Sequence, residues 1–320
     1  MNAPHSDAPA LRVRDLHKHY GDVVAVDGLD LAVNPGECFG LLGPNGAGKT
    51  TTIEICEGLT APDAGEVEVL GLRWSSHARD LRERLGIQLQ ETQLAEKISV
   101  NETLQLFRSF YRHGRDIEDV IALVQLEEKR SARVGTLSGG QKQRLALGCA
   151  LVGDPDLIFL DEPTTGLDPQ ARRQVWELVE QLRASGRTIV LTTHYMEEAE
   201  RLCDRVAVVD HGRVIAQGTP RQLVAGLGAS QIVFFAVDLP EGQSVPPDRL
   251  DAIAAAAGAI QPPRATDGGW ELPVAATHHA IPALLGELAR QELPLSELRT
   301  HLPTLEDVFV SLTGRALRDA

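Results

Sequence analysis

The eight residues Gly43-Pro44-Asn45-Gly46-Ala47-Gly48-Lys49-Thr50 narrow the possible folds of this chain more than any other stretch. They satisfy the pattern GxxxxGK[ST], and they stand between the apolar run 38–42 and a helical segment. A strand, a glycine-rich turn and a helix in that order let backbone N–H groups converge on phosphates at the helix N-terminus. Lys49 reaches the outer phosphates as a point charge, and the Thr50 hydroxyl suits Mg2+. Such a loop belongs to α/β folds whose parallel strands gather ligands at their carboxyl ends.

The flanking sequence agrees. Residues 11–14 and 24–33 alternate as strands, so the first ninety residues read as β-rich. The apolar strand 157–160 is followed by a helix in which Val175, Leu178, Val179 and Leu182 fall at helical spacing, and then by a strand over 188–192. Between these halves lies a helical insert from about Glu91 to Val134, where Ser99 and Glu102 form a capping box ahead of Leu104, Leu106 and Phe107. A hairpin is expected around Asp210, His211 and Gly212, and a linker over 226–230. Beyond it the pattern is a strand at 231–237, a helix at 250–257, a strand at 270–274, a helix at 281–291 and a last helix near 305–312. The expectation is a P-loop α/β domain over 1–225, with its β-rich subdomain and helical insert, and a small α+β accessory domain over 226–320.

Asp161 and Glu162 directly follow the apolar strand, which places two carboxylates at a strand's carboxyl end. In P-loop enzymes this is where one carboxylate holds Mg2+ and a neighbour polarises the attacking water, roles assigned here to Asp161 and Glu162. Leu137-Ser138-Gly139-Gly140-Gln141 opens another helix, with serine as a cap and glycine amides exposed as an anion site.

With these three motifs in register, the chain resembles the ATPases of the ATP-binding cassette (ABC) family, and the resemblance runs through about residue 220. It implies an ATP site made by Gly43, Pro44, Asn45, Gly46, Ala47, Gly48, Lys49, Thr50 and Thr51, with Tyr20 stacked on adenine. It implies Mg2+ held by Thr50, Gln90 and Asp161, and catalysis by Glu162, His194 and Gln90. Gln88 competes with Gln90 for the glutamine role. In the family, Ser138, Gly139, Gly140, Gln141 and Asp168 serve the nucleotide bound by a second copy, so the resemblance also implies an ATP-sandwich homodimer. Gly166-Leu167-Asp168 departs from the usual Ser-Ala-Leu-Asp, so Asp168 transfers better than its neighbours. The tail Thr304-Leu305-Glu306-Asp307-Val308-Phe309, with Leu312-Thr313-Gly314-Arg315, looks like the ending of daunorubicin-resistance type exporter ATPases, as does the stretch from Thr192 to Ala199. That branch pairs with a separate membrane permease.

Composition sets the limits. A net charge of −14 works against binding nucleic acid or anionic lipid, and no stretch is apolar enough to span a bilayer. The first ten residues lack the basic start and apolar run of a secretory signal, so a cytoplasmic protein, peripheral to the membrane through its permease, is expected. Cys38, Cys56, Cys149 and Cys203 show no CxxC pairing and read as small buried hydrophobes. Two other readings share the loop. A soluble ABC ATPase acting on ribosomes or DNA would ordinarily carry tandem cassettes or an inserted coiled coil, and a small-molecule P-loop kinase leaves Ser138 to Gln141 and His194 unexplained.

Overall fold

Strand alternation and helical spacing resolve into two compact units in the computed structural model, which describes residues 8–90, 92–239, 244–266 and 268–313. One unit runs to Pro220 and the other begins at Arg221. The first contains, in order, β1 (Leu11–Tyr20), β2 (Val23–Val33), β3 (Cys38–Leu42), α1 (Lys49–Cys56), β4 (Ala64–Val69), α2 (Trp74–Arg84) and β5 (Leu85–Gln88). It continues with α3 (Val100–Arg108), α4 (Ile117–Leu123), α5 (Gly139–Leu151), β6 (Leu157–Asp161), α6 (Pro169–Ala184), β7 (Thr188–Thr193), α7 (Met196–Leu202), β8 (Arg205–Asp210) and β9 (Arg213–Gly218).

Two sheets result. A six-stranded sheet has the order β5-β6-β7-β3-β8-β9, parallel except for the β8–β9 hairpin. A three-stranded antiparallel sheet has the order β2-β1-β4. Both bury apolar faces against α1: Phe39, Leu41, Phe159 and Val190 from the parallel sheet meet Leu11, Leu29 and Leu31 from the other, with Ile53 and Ile55 in the same core. This central parallel sheet, buried on both faces, explains why β3 and β6 are near-continuous apolar runs and why every residue of β7 is buried. The carboxyl ends of β3, β6 and β7 lie side by side in register, Leu42 beside Thr193 and Asp161 beside Thr192.

The predicted insert contains α3 and α4, with two short 3-10 turns at Glu127–Lys129 and Val134–Thr136. The Ser99–Glu102 capping box forms as the sequence predicts. Residues 92–98 are not helical, and Glu91 lies outside the described residues. All four cysteines are buried free thiols, in β3, α1, α5 and just after α7.

After α8 (Pro220–Gly226) come β10 (Gln231–Val237), α9 (Pro247–Ala257), β11 (Arg264–Thr266), β12 (Gly269–Val274), α10 (Thr277–Arg290), β13 (Leu295–His301) and α11 (Leu305–Thr313). The antiparallel sheet order β11-β12-β10-β13 is that of the split βαβ, ferredoxin-like arrangement. Val233, Phe235, Leu272 and Val274 on one face pack against Ile253 of α9 and Leu284 and Leu288 of α10. Sequence patterning misses β11 and β13. The tail residues Gly314 and Arg315 lie outside the described residues.

Candidate active site

The loop between β3 and α1 folds around its own lysine. Lys49 is 5% exposed, and its Nζ donates to the carbonyls of Gly43 at 2.7 Å and Pro44 at 3.0 Å. Gly48 has φ +99°, and a Cβ there would stand 2.2 Å from the Ala25 carbonyl of β2, so conformation and space both require glycine. The β8–β9 turn supports the loop from beneath, with Gly212 N–H donating to the Ala47 carbonyl at 2.9 Å. Asn45, Gly46 and Thr50 are exposed, while Thr51 is half-buried and Gly43, Pro44 and Ala47 are buried.

At the end of β6 two carboxylates diverge. Asp161 accepts a hydrogen bond from the Thr192 hydroxyl of β7. Glu162 turns at φ +46°, a strained region for a side chain with a Cβ. Its N–H is held there by the Thr192 hydroxyl at 2.9 Å and the Thr192 carbonyl at 3.2 Å. Around its carboxylate stand Lys49 Nζ at 3.9 Å, His194 Nδ1 at 3.2 Å, the donating Thr165 hydroxyl at 3.0 Å and Gln90 Nε2 at 3.4 Å. Three predicted residues from three separate segments, Lys49, Gln90 and His194, thus meet at the predicted Glu162 carboxylate.

The electrostatics follow from these contacts. His194 beside Glu162 holds its carboxyl below the usual range, against the opposing effect of burial, so it is ionised at neutral pH. Burial pushes Asp161 up and the Lys49 ammonium down, the latter opposed by the charges of Glu162 and Asp161.

Gln90, and not Gln88, reaches the site: Gln88 is buried in β5, with its amide toward the Leu89 carbonyl. Tyr20 ends β1 with 49% of its surface exposed and the Lys18 ammonium 5.4 Å from its ring centre, so it is not a core ring. Ser138 and Gln141 hydrogen-bond to each other as a capping box on α5. Gly139 has open space where a Cβ would stand, but a Cβ on Gly140 would meet Ala171 of α6 at 2.6 Å, so Gly140 also serves packing. Asp168 caps α6, accepting from the N–H groups of Gln170 and Ala171 at 2.9 Å. Among the described residues, the side-chain hydrogen bonds of Ser138, Gln141 and Asp168 are thus local and none reaches Lys49 or Glu162. Sequence reading missed Thr165 and Thr192; only the pairing of β6 with β7 sets Thr192 beside Asp161.

Comparison with known proteins agrees with this geometry. The ABC transporter family pattern matches residues 26–165. Nod factor export ATP-binding protein I of Ralstonia nicotianae is 41% identical over 97% of this chain and 96% of its own. Among solved structures, cbiO1 from Clostridium perfringens, part of the ABC transporter complex cbiONQ, superposes with a TM-score of 0.62 at 29% identity, covering 68% of this chain and 92% of that one. The dimeric post-hydrolysis cassette MJ0796, bound to ADP and Pi, matches at TM-score 0.59 and 25% identity over 65% of this chain and 98% of its own. With a glycine loop around Lys49, two carboxylates at the end of β6 and relatives matching almost end to end, the chain belongs to the ABC transporter family as an ATP-binding, ATP-hydrolysing subunit.

Proposed function

We propose that this ATPase drives an exporter whose membrane-spanning part is a separate permease, and that two copies close on two Mg-ATP. The observation that carries the reading is the meeting of Lys49, Gln90, Thr165 and His194 at the Glu162 carboxylate. The loop amides and Lys49 bind the β and γ phosphates, Tyr20 stacks on adenine, and the ionised Glu162 orients and deprotonates the attacking water. Gln90 and His194 hold that water and the γ phosphate between them.

The donor set fits Mg2+, a hard cation bound through one or two carboxylates beside phosphate and other oxygens: Asp161 offers a buried carboxylate, Thr50 an exposed hydroxyl and Gln90 an amide oxygen. When bound, Mg2+ neutralises charge on the β and γ phosphates. Ser138, Gly139, Gly140, Gln141 and Asp168 are assigned to the nucleotide of the second copy.

Export is supported by the naming of the Ralstonia relative as an export protein and by the tail's likeness to daunorubicin-resistance type ATPases. No helix among the described residues is long and apolar enough to cross a membrane, which suits a subunit working at the cytoplasmic face through its permease. Glu162→Gln tests the catalytic assignment. It should abolish turnover while keeping nucleotide binding, and an ATP-dependent dimer should accumulate in size-exclusion chromatography. Near wild-type hydrolysis would remove Glu162 from its role.

A further inference from the structure

The three residues after Glu162 are tied to three different places. The Pro163 carbonyl accepts from Gln143 Nε2 of α5 at 2.8 Å, and the Thr164 hydroxyl donates to Glu198 Oε1 of α7 at 2.8 Å. The Thr165 hydroxyl returns to Glu162 itself at 3.0 Å. This segment joins Glu162 to Asp168, so whatever holds it sets the direction of both carboxylates.

Glu198 is the unusual member. It is 0% exposed, in the first turn of α7 and four residues after His194, and its Oε1 also accepts from Trp176 Nε1 of α6 at 2.8 Å. Arg172, one turn before Trp176 on α6, lies 4.4 Å over the Tyr195 ring, which stands 4.1 Å from that of His194. A dry carboxylate is expensive, and an apolar side chain of similar volume would ordinarily stabilise the core as well or better. Burial does push the Glu198 carboxyl up, against the hydrogen bonds of Thr164 and Trp176 and the charge of Arg172. Here the carboxylate supplies what an apolar group cannot, an oxygen shared by two donors from two separate segments.

We propose that Glu198 is a positioning residue for ATP hydrolysis: by bonding Thr164 and Trp176 on one oxygen, it locks the Glu162–Asp168 loop to the helix that follows His194. The inference rests on the assignment of Glu162 and His194 to the hydrolytic site. It places Glu198 in contact with neither nucleotide nor water. Gln143 extends the same lock to α5, the helix capped by Ser138, so a partner's nucleotide engaging that cap has a bonded route through Pro163 and Thr164 to Glu162 and His194.

The test compares Glu198→Met, Glu198→Gln and Thr164→Val in the full chain. Met fills the volume without an acceptor, Gln keeps the shared oxygen, and Val removes only the hydroxyl. Met should lower kcat by up to ~100-fold, the loss that a misplacement of about 1 Å produces, with ATP binding within about threefold of wild type. Gln should recover most of the rate, and Thr164→Val should lower kcat without further loss when combined with Glu198→Met. Thr164→Val also serves if Glu198→Met does not fold. Wild-type kcat in Glu198→Met or Thr164→Val, additive losses in the pair, or a Gln variant as slow as Met would overturn the proposal. Glu162→Gln is measured in parallel: if it still hydrolyses ATP, the site assignment itself fails, whereas an inactive Glu162→Gln beside a fully active Glu198→Met rejects only the lock.

Discussion

Glu57 shows how a single carboxylate can set the pH response of the whole chain. It is buried at the end of α1, and neither of its oxygens has a hydrogen-bond partner among the described residues. Burial, and then the charges of Asp161 and Glu54, push its carboxyl from an ordinary 4.5 up to about 8. Between those values the folded chain holds a proton that the unfolded chain has lost, so stability falls as pH rises through that window and levels off above it. Each pKa unit is about 1.4 kcal/mol, so the penalty at pH 9 amounts to several kcal/mol. Glu57→Gln should match the wild type near pH 5 and exceed it by a few kcal/mol at pH 9. Denaturant unfolding at both pH values measures this, and a pH-independent difference would contradict it. Gly140→Ala, placing a methyl against Ala171, should destabilise by about 1–3 kcal/mol in the same assay, the usual penalty of overpacking. Lys49, Asp161, Glu162 and His194 were legible in the sequence because each lies in a short local string. Thr192 and Glu198 were not, because their partners are brought to them only by the pairing of β6 with β7 and by the packing of α6 on α7.

Among elements, those that match their own patterning were read correctly: β3 and β10 have the predicted bounds, and α3 begins at the predicted cap. The strand β13 was invisible. Its residues Leu295–His301 are mostly polar and exposed, and it is a strand because β10 offers an unpaired edge, with Arg299 stacked 4.4 Å over Phe234. On α3 the reciprocal cap of Ser99 and Glu102 should be worth about 1 kcal/mol, so Ser99→Ala should lower thermal stability by that order without changing ATP affinity. The same insert carries Leu106 and Phe110 exposed, the latter at 66%. If it meets the permease, Phe110→Glu should leave soluble ATPase activity intact and abolish stimulation by permease-containing membranes. Loss of intrinsic activity would count against that surface.

At the scale of the molecule, the cap of Ser138 and the loop of Lys49 each satisfy their own local geometry, and under the proposed two-copy closure they would serve one ATP across two chains. A mixture of Lys49→Ala and Ser138→Arg chains should then regain single-turnover hydrolysis that neither variant shows alone, because one interface of the heterodimer is intact. If Ser138 acts only within its own chain, no mixing ratio restores a turnover. The division at Pro220 has another consequence, through the placement of sulfur. Cys38, Cys56, Cys149 and Cys203 all precede it, and the remaining hundred residues contain no cysteine. Each thiol is buried, and burial raises those of Cys56, Cys149 and Cys203, that of Cys149 to about 12, so none is a ready nucleophile in the native state. A thiol-reactive dye therefore times the opening of the ATP-binding unit alone, site by site along β3, α1, α5 and the end of α7. ATP bound to that unit should slow the clock at all four positions in proportion to its occupancy, while opening of the ferredoxin-like unit passes unlabelled.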